Sequence, residues 1–122
     1  MPKYRILVAD DSAHIRKILC ELFSNHDKLE LCDEAVNGQD AVEKARACAP
    51  DLVVLDLSMP VMNGLEAATI IRRFLPHVPI ILFTMHASLF ETADAKPAEV
   101  TRVVSKTEIH KLPQHALEVL AA

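Results

Sequence analysis

Glycine is scarce in this 122-residue chain, which has only Gly38 and Gly64. That removes the glycine-rich loops that cradle nucleotide phosphates, of the P-loop or dinucleotide kind. Apolar runs are only a handful of residues long, far short of the roughly 20 that a bilayer-crossing helix needs. Met1-Pro2-Lys3-Tyr4-Arg5 leads into an apolar stretch too short for a secretory leader, and that stretch ends in two acids. A cytoplasmic protein without membrane attachment is the expectation. Basic excess is missing too: 13 Lys and Arg face 17 Asp and Glu, for a net charge of -4, and the cations are scattered. No nucleic-acid footprint results, so any control of DNA falls to another domain or chain. Cys20, Cys32 and Cys48 form no CxxC pair and read as buried, inert thiols in a reducing compartment.

What is present suits one compact core. Hydrophobic residues make up 51% of the chain, which argues against disorder, and the length predicts one domain spanning 1–122. Five β-type runs alternate with helical patterns: residues 5–9, 30–35, 51–56, 79–83 and 101–105. Ile6-Leu7-Val8 and Leu52-Val53-Val54-Leu55 are continuously apolar, as strands covered on both faces are. The runs at 30–35 and 101–105 are more polar and suit sheet edges. Ser12 is placed to cap a first helix with Ile15, Ile18, Leu19, Leu22 and Phe23 on its apolar side. Asn37-Gly38 marks a turn before a second helix, and a third begins near Gly64 and stops before Pro76. A fourth is expected near 88–96, ended by Pro97, and a fifth from about Lys111. Strict βα alternation predicts a flavodoxin-like (βα)5 doubly wound sandwich, with five parallel strands in the order 2-1-3-4-5.

In such a sheet, ligands sit beyond the carboxyl ends of the strands, at the point where the winding reverses. Here that point lies between the first and third strands, which end in Asp10-Asp11 and Asp56. Any one of these acids could be a helix cap or a strand terminator, but capping does not explain three at one cleft. Clustered carboxylates raise one another's pKa unless a cation neutralises them. Hard oxygen ligands with room for water suit Mg²⁺, and such a site handles phosphoryl groups. The fourth and fifth strands end at Thr84 and Lys106 on the same rim, supplying a donor and a compensating charge for phosphoryl oxygens.

Asp10-Asp11, the stretch Asp56-Leu57-Ser58-Met59-Pro60-Val61-Met62-Asn63-Gly64, Thr84 and Lys106-Thr107 together resemble the response-regulator receiver domain of two-component signalling. The run from Asp56 and the Ser105-Lys106-Thr107 motif are most similar to receivers of LuxR-type transcriptional regulators. The resemblance implies that Asp56 accepts a phosphoryl group from a phosphohistidine on a sensor histidine kinase or a histidine phosphotransfer protein. It implies Mg²⁺ ligation by Asp11, Asp56 and the backbone carbonyl of Ser58, with Asp10 acting largely through water. Thr84 would bond the phosphoryl oxygen and Lys106 would pair with it. The expected object is a self-modifying switch with slow autodephosphorylation, not a turnover enzyme. Its output surface toward a downstream effector protein or domain would be the fourth helix, fifth strand and fifth helix, a face through which family members also form homodimers.

The pattern is broken at Val103, where receivers usually carry Tyr or Phe, and at Glu99, Val100 and Arg102, where small residues are usual. Coupling to the output face is where this departure bears. Ser58 and His86, each two residues beyond a site residue, occupy positions that influence loss of the phosphoryl group in the family. His14, His26, His77, His110 and His115 show no metal-ligand spacing. Three other readings stay open: a degenerate receiver that binds its partner without phosphorylation, a receiver excised from a DNA-binding transcription factor, and a dehalogenase-type phosphatase. The last is disfavoured because Asp10 and Asp11 are adjacent instead of alternating, and no cap insertion is present.

Overall fold

A computed structural model describes residues 2–92 and 95–121. Its elements run β1 (Tyr4–Ala9), α1 (Ala13–Ser24), β2 (Leu29–Ala35), α2 (Gly38–Cys48), β3 (Leu52–Asp56), α3 (Gly64–Phe74), β4 (Ile80–Thr84), β5 (Arg102–Ser105) and α4 (Leu112–Ala121). The strands form one parallel sheet in the order β2-β1-β3-β4-β5, the flavodoxin-like arrangement expected from the alternation.

Strand alternation sorts the core into two layers. Ile6, Val8, Leu52, Val54, Ile81 and Phe83 face α1 and α4, where Leu19, Phe23, Leu112 and Ala116 meet them. Leu7, Val53, Leu55, Ile80 and Leu82 face α2 and α3, against Ala41, Ala45, Ala67 and Ile71. Small alanines on α2 and α3 let those helices lie close to the sheet. The helix starts are capped as the sequence suggests: Ser12 Oγ accepts from the Ile15 N–H at 3.2 Å. Asn37 caps α2, and Asn63 with Glu66 forms a reciprocal capping box on α3.

One expected helix is different. The stretch near 88–96 carries a four-residue 3-10 helix, Ala87–Phe90, and no α-helix among the described residues. Ala93 and Asp94 lie outside the described residues. The segment packs Phe90 against the core but leaves Leu89 66% exposed, a narrower apolar contact than the one that holds α3 down, and tertiary packing is what stabilises most short helices. A second 3-10 segment, Lys106–Lys111, connects β5 to α4. No helix among the described residues is long and apolar enough to cross a membrane. The cysteines also depart from expectation, since all three are half-buried instead of buried.

Candidate functional site

Sheet register brings the site residues together. Ala9 pairs with Leu55, so Asp10 and Asp56 stand side by side one step further on. Asp56 pairs with Phe83, and Thr84 pairs with Ser105, so Thr84 and Lys106 follow on the same rim. Asp10, Asp56 and Thr84 are the buried polar residues of the described chain, whereas Asp11 is exposed. One carboxylate oxygen from each of Asp10, Asp11 and Asp56 lies within 4.8 Å of the others. Asp11, Asp56, Ser58, Thr84, Met85, His86 and Lys106 line a cavity of about 200 Å³.

Lys106 bridges the two buried acids, with Nζ 2.8 Å from Asp10 Oδ2 and 3.2 Å from Asp56 Oδ1. Burial works to lower the lysine's pKa, but the two carboxylates outweigh it and hold the ammonium above its usual range. Asp56 moves upward as well: burial raises it most, Asp10 adds like-charge repulsion, and Lys106 and the Ser58 backbone oppose them. Asp10 Oδ1 accepts from the Ser12 N–H at 2.9 Å. Its Oδ2 meets Lys106 Nζ at 2.8 Å and has no second donor among the described residues. Thr84 Oγ1 accepts from the His86 N–H at 3.0 Å, which leaves its own proton free to donate.

The loop after Asp56 is built by close backbone approach. A Cβ on Gly64 would lie 2.2 Å from the Asp56 carbonyl oxygen, and one on Gly38 would lie 2.1 Å from the Met62 carbonyl oxygen. The glycines are therefore needed for contact, since neither adopts a positive φ. Gly38 N–H bonds Met62 O at 3.0 Å and Gly64 N–H bonds Leu57 O at 2.9 Å, tying α2 and α3 to this loop. Val61 sits between them at φ 70°, 80% exposed. A β-branched residue is strained in that region, by about 1–2 kcal/mol. Val61→Gly is expected to raise unfolding free energy by about 0.5–1 kcal/mol after the greater freedom of glycine in the unfolded chain is set against it. Urea unfolding checks this, and a lower midpoint would mean that the Val61 side chain itself stabilises the loop.

Sequence reasoning missed Arg16. Its guanidinium bonds the Asp10 carbonyl oxygen at 2.8 Å and Glu34 Oε1 at 2.9 Å, fixing the strand end that presents the acids. The only available signal was its place one turn beyond Ser12, which any solvated arginine shares. The candidate residues Asp10, Asp11, Asp56, Ser58, Thr84 and Lys106 all converge. Of the other histidines, His115 instead meets Arg102 Nη1 at 3.0 Å on the β5–α4 face.

The sequence matches the model of the response regulator receiver domain over residues 6–117. The chain belongs to that family. A protein-glutamate methylesterase/protein-glutamine glutaminase of Clostridium acetobutylicum is 37% identical over 84 residues, which is 69% of this chain and 24% of that protein. The protein of the same description from Pyrococcus abyssi is 45% identical over 82 residues, 67% of this chain and 22% of that protein. The chain thus spans about a quarter of the length of the curated relatives it matches. Among solved structures, a LuxR-family two-component response regulator from Aurantimonas sp. SI85-9A1 superposes with TM-score 0.84 at 28% identity, covering 98% of this chain and 86% of that one. The response regulator domain of Thermotoga maritima CheB gives TM-score 0.81 at 27% identity, covering 98% and 94%. The LuxR likeness read from the motifs is therefore joined by a methylesterase-type receiver, which the motifs did not point to.

Proposed function

We propose that this receiver is a phosphoryl-accepting switch in which Asp56 is the nucleophile and Lys106, Thr84, Asp10 and Asp11 complete the site. The observation that carries this is the convergence of three carboxylates, a bridging ammonium and a free hydroxyl proton on one 200 Å³ cavity. A carboxylate oxygen of Asp56 attacks phosphorus of a phosphohistidine. The P–N bond breaks, its electron pair leaves on the imidazole nitrogen, and an acyl phosphate remains. Lys106 Nζ, already on Asp56 Oδ1, offsets charge that builds on the transferring group, and the Thr84 hydroxyl donates to one of its outer oxygens.

The acids fit a hard divalent cation. Lys106 is one positive charge against three carboxylates, and it is the one partner of the buried Asp10 Oδ2 among the described residues. Asp10, Asp11, Asp56 and the Ser58 carbonyl would hold Mg²⁺, which when bound supplies positive charge to the phosphoryl oxygens. Asp11, being exposed, suits a site that keeps water ligands. Ser58 and His86 stand exposed at the mouth, where they bear on access of hydrolytic water.

The donor is a sensor histidine kinase or histidine phosphotransfer protein in the cytoplasm, and the recipient of the signal is a downstream effector protein or domain. The 3-10 segment Ala87–Phe90, β5 and α4 form the output face; neither nucleic acid nor membrane is bound by this domain. No turnover activity is assigned to residues 1–122. A second reading, binding without phosphorylation, is favoured by Val103, a half-buried aliphatic where an aromatic would report the state of the site.

A radiolabel chase distinguishes them. A panel of histidine phosphotransfer proteins, labelled at phosphohistidine, is mixed with the full chain and Mg²⁺. Label moving to this chain within minutes, and staying on the donor when Mg²⁺ is chelated, is the expected result. Donors that keep their label throughout, while a partner still binds the unmodified chain, would establish the second reading.

A further inference from the structure

Two of the three cysteines form a constellation outside the phosphoryl site. Cys32 Sγ and Cys48 Sγ lie 2.7 Å apart. A disulfide needs about 2.05 Å, so less than an ångström of approach closes the bond. Both residues are half-buried, neither being sealed in the core.

The pair is held by fixed backbone. Ile6 pairs with Leu31 and Leu7 with Asp33, which makes Cys32 the extra residue of a bulge in edge strand β2. Bulges re-aim a side chain, and here the thiol points into the layer between β2 and α2. Cys48 is the last residue of α2, whose end is closed by Ala49 in the left-handed conformation, with its N–H on Ala45 O. The Arg5 guanidinium bonds the Cys48 carbonyl oxygen, and the Arg5 N–H bonds Asp51 Oδ2 at 2.8 Å, so the turn after α2 is anchored to β1. Cys20 is engaged elsewhere, its Sγ 3.2 Å from Glu34 Oε2.

We infer that Cys32 and Cys48 form a reversible intrachain disulfide, a two-electron redox site separate from the carboxylate pocket. The oxidant class is a low-molecular-weight disulfide such as oxidised glutathione. The thiolate of one cysteine attacks it, forming a mixed disulfide and releasing one glutathione thiol. The second cysteine's thiolate then displaces the other glutathione. In sum two thiols lose two electrons and two protons, and the glutathione disulfide gains both. Burial first, then the neighbouring Cys48, pushes the Cys32 thiol up to about 12, so it stays protonated near neutral pH and closure is slow without oxidant in excess. The bridge joins β2 to the end of α2 remote from Gly38, about 15 Å along the helix axis from the turn that bonds the loop after Asp56. It does not depend on the phosphoryl chemistry proposed above.

The test uses the reduced full chain, incubated with excess oxidised glutathione, then alkylated, digested and mapped by mass spectrometry. A Cys32–Cys48 linked peptide with Cys20 alkylated is expected, together with a melting temperature several degrees higher that dithiothreitol reverses. Cys20→Ser closes the same bond. Cys32→Ser and Cys48→Ser stop at a glutathione adduct or a free thiol. Three alkylated cysteines under conditions that oxidise a reference dithiol would overturn the inference. So would a bond that involves Cys20, a bond only between two chains, or an oxidised form that melts lower. Because the wild-type peptide map is decisive alone, a variant that fails to fold leaves the result readable.

Discussion

Lys106→Met is expected to slow phosphoryl uptake by about 100-fold, the usual size of effect when one preorganised charge is withdrawn from a developing anion. The reason is in the ground state as well as the reaction. Nζ is the only side-chain cation found on Asp10 and Asp56 among the described residues, at 2.8 and 3.2 Å. The lysine side chain is 13% exposed and the two acids 1% and 5%, so solvent does little to replace it. Withdrawing one partner from so buried a group leaves uncompensated charge at a cost of about 3 kcal/mol. The substituted protein should therefore melt lower without Mg²⁺ and recover part of the loss when Mg²⁺ is added. Acetyl phosphate kinetics and thermal melts read both effects. Uptake within a few-fold of wild type would remove Lys106 from the site's chemistry.

Gly64→Ala should cost about 3 kcal/mol, at the top of what overpacking exacts, and lower the melting temperature by about 10 °C. The added methyl would meet the Asp56 carbonyl oxygen at 2.2 Å, and its nearest neighbours are all backbone atoms of Asp56 and Leu57, which cannot swing aside as a flexible side chain could. Either α3 withdraws, breaking the Gly64 N–H bond to Leu57 O, or the end of β3 moves and carries the Asp56 carboxylate with it. Phosphoryl uptake falls in both cases. An alanine protein with wild-type melting and uptake would show that the close approach is not required.

Much of this arrangement is legible in the sequence because it follows from register. Apolar runs in β1 and β3 announce strands covered on both faces, and once the order is known the residue after each strand end falls on one rim. Asp10, Asp11, Asp56, Thr84 and Lys106 are found that way, and the motif from Asp56 to Gly64 adds the family. Four features are not legible. The segment after β4 has helix-compatible composition, yet its exposed Leu89 gives it little to pack, and a 3-10 turn results. Arg16 acts on a backbone carbonyl, which leaves no mark on residue spacing. Gly64 marks only the start of a helix in the sequence, whereas the need is for space beside Asp56. Cys32 and Cys48 are brought together by a one-residue bulge that no periodicity shows.

The most direct measurement is intact-mass spectrometry of the chain after incubation with acetyl phosphate and Mg²⁺, beside Asp56→Asn. The expected result is a gain of one phosphoryl group in the wild type, mapped to Asp56, lost on chelating Mg²⁺ and absent from the substituted protein. A wild type that gains no mass, or an Asp56→Asn protein that gains as much, would contradict the assignment of Asp56 as the phosphoryl acceptor.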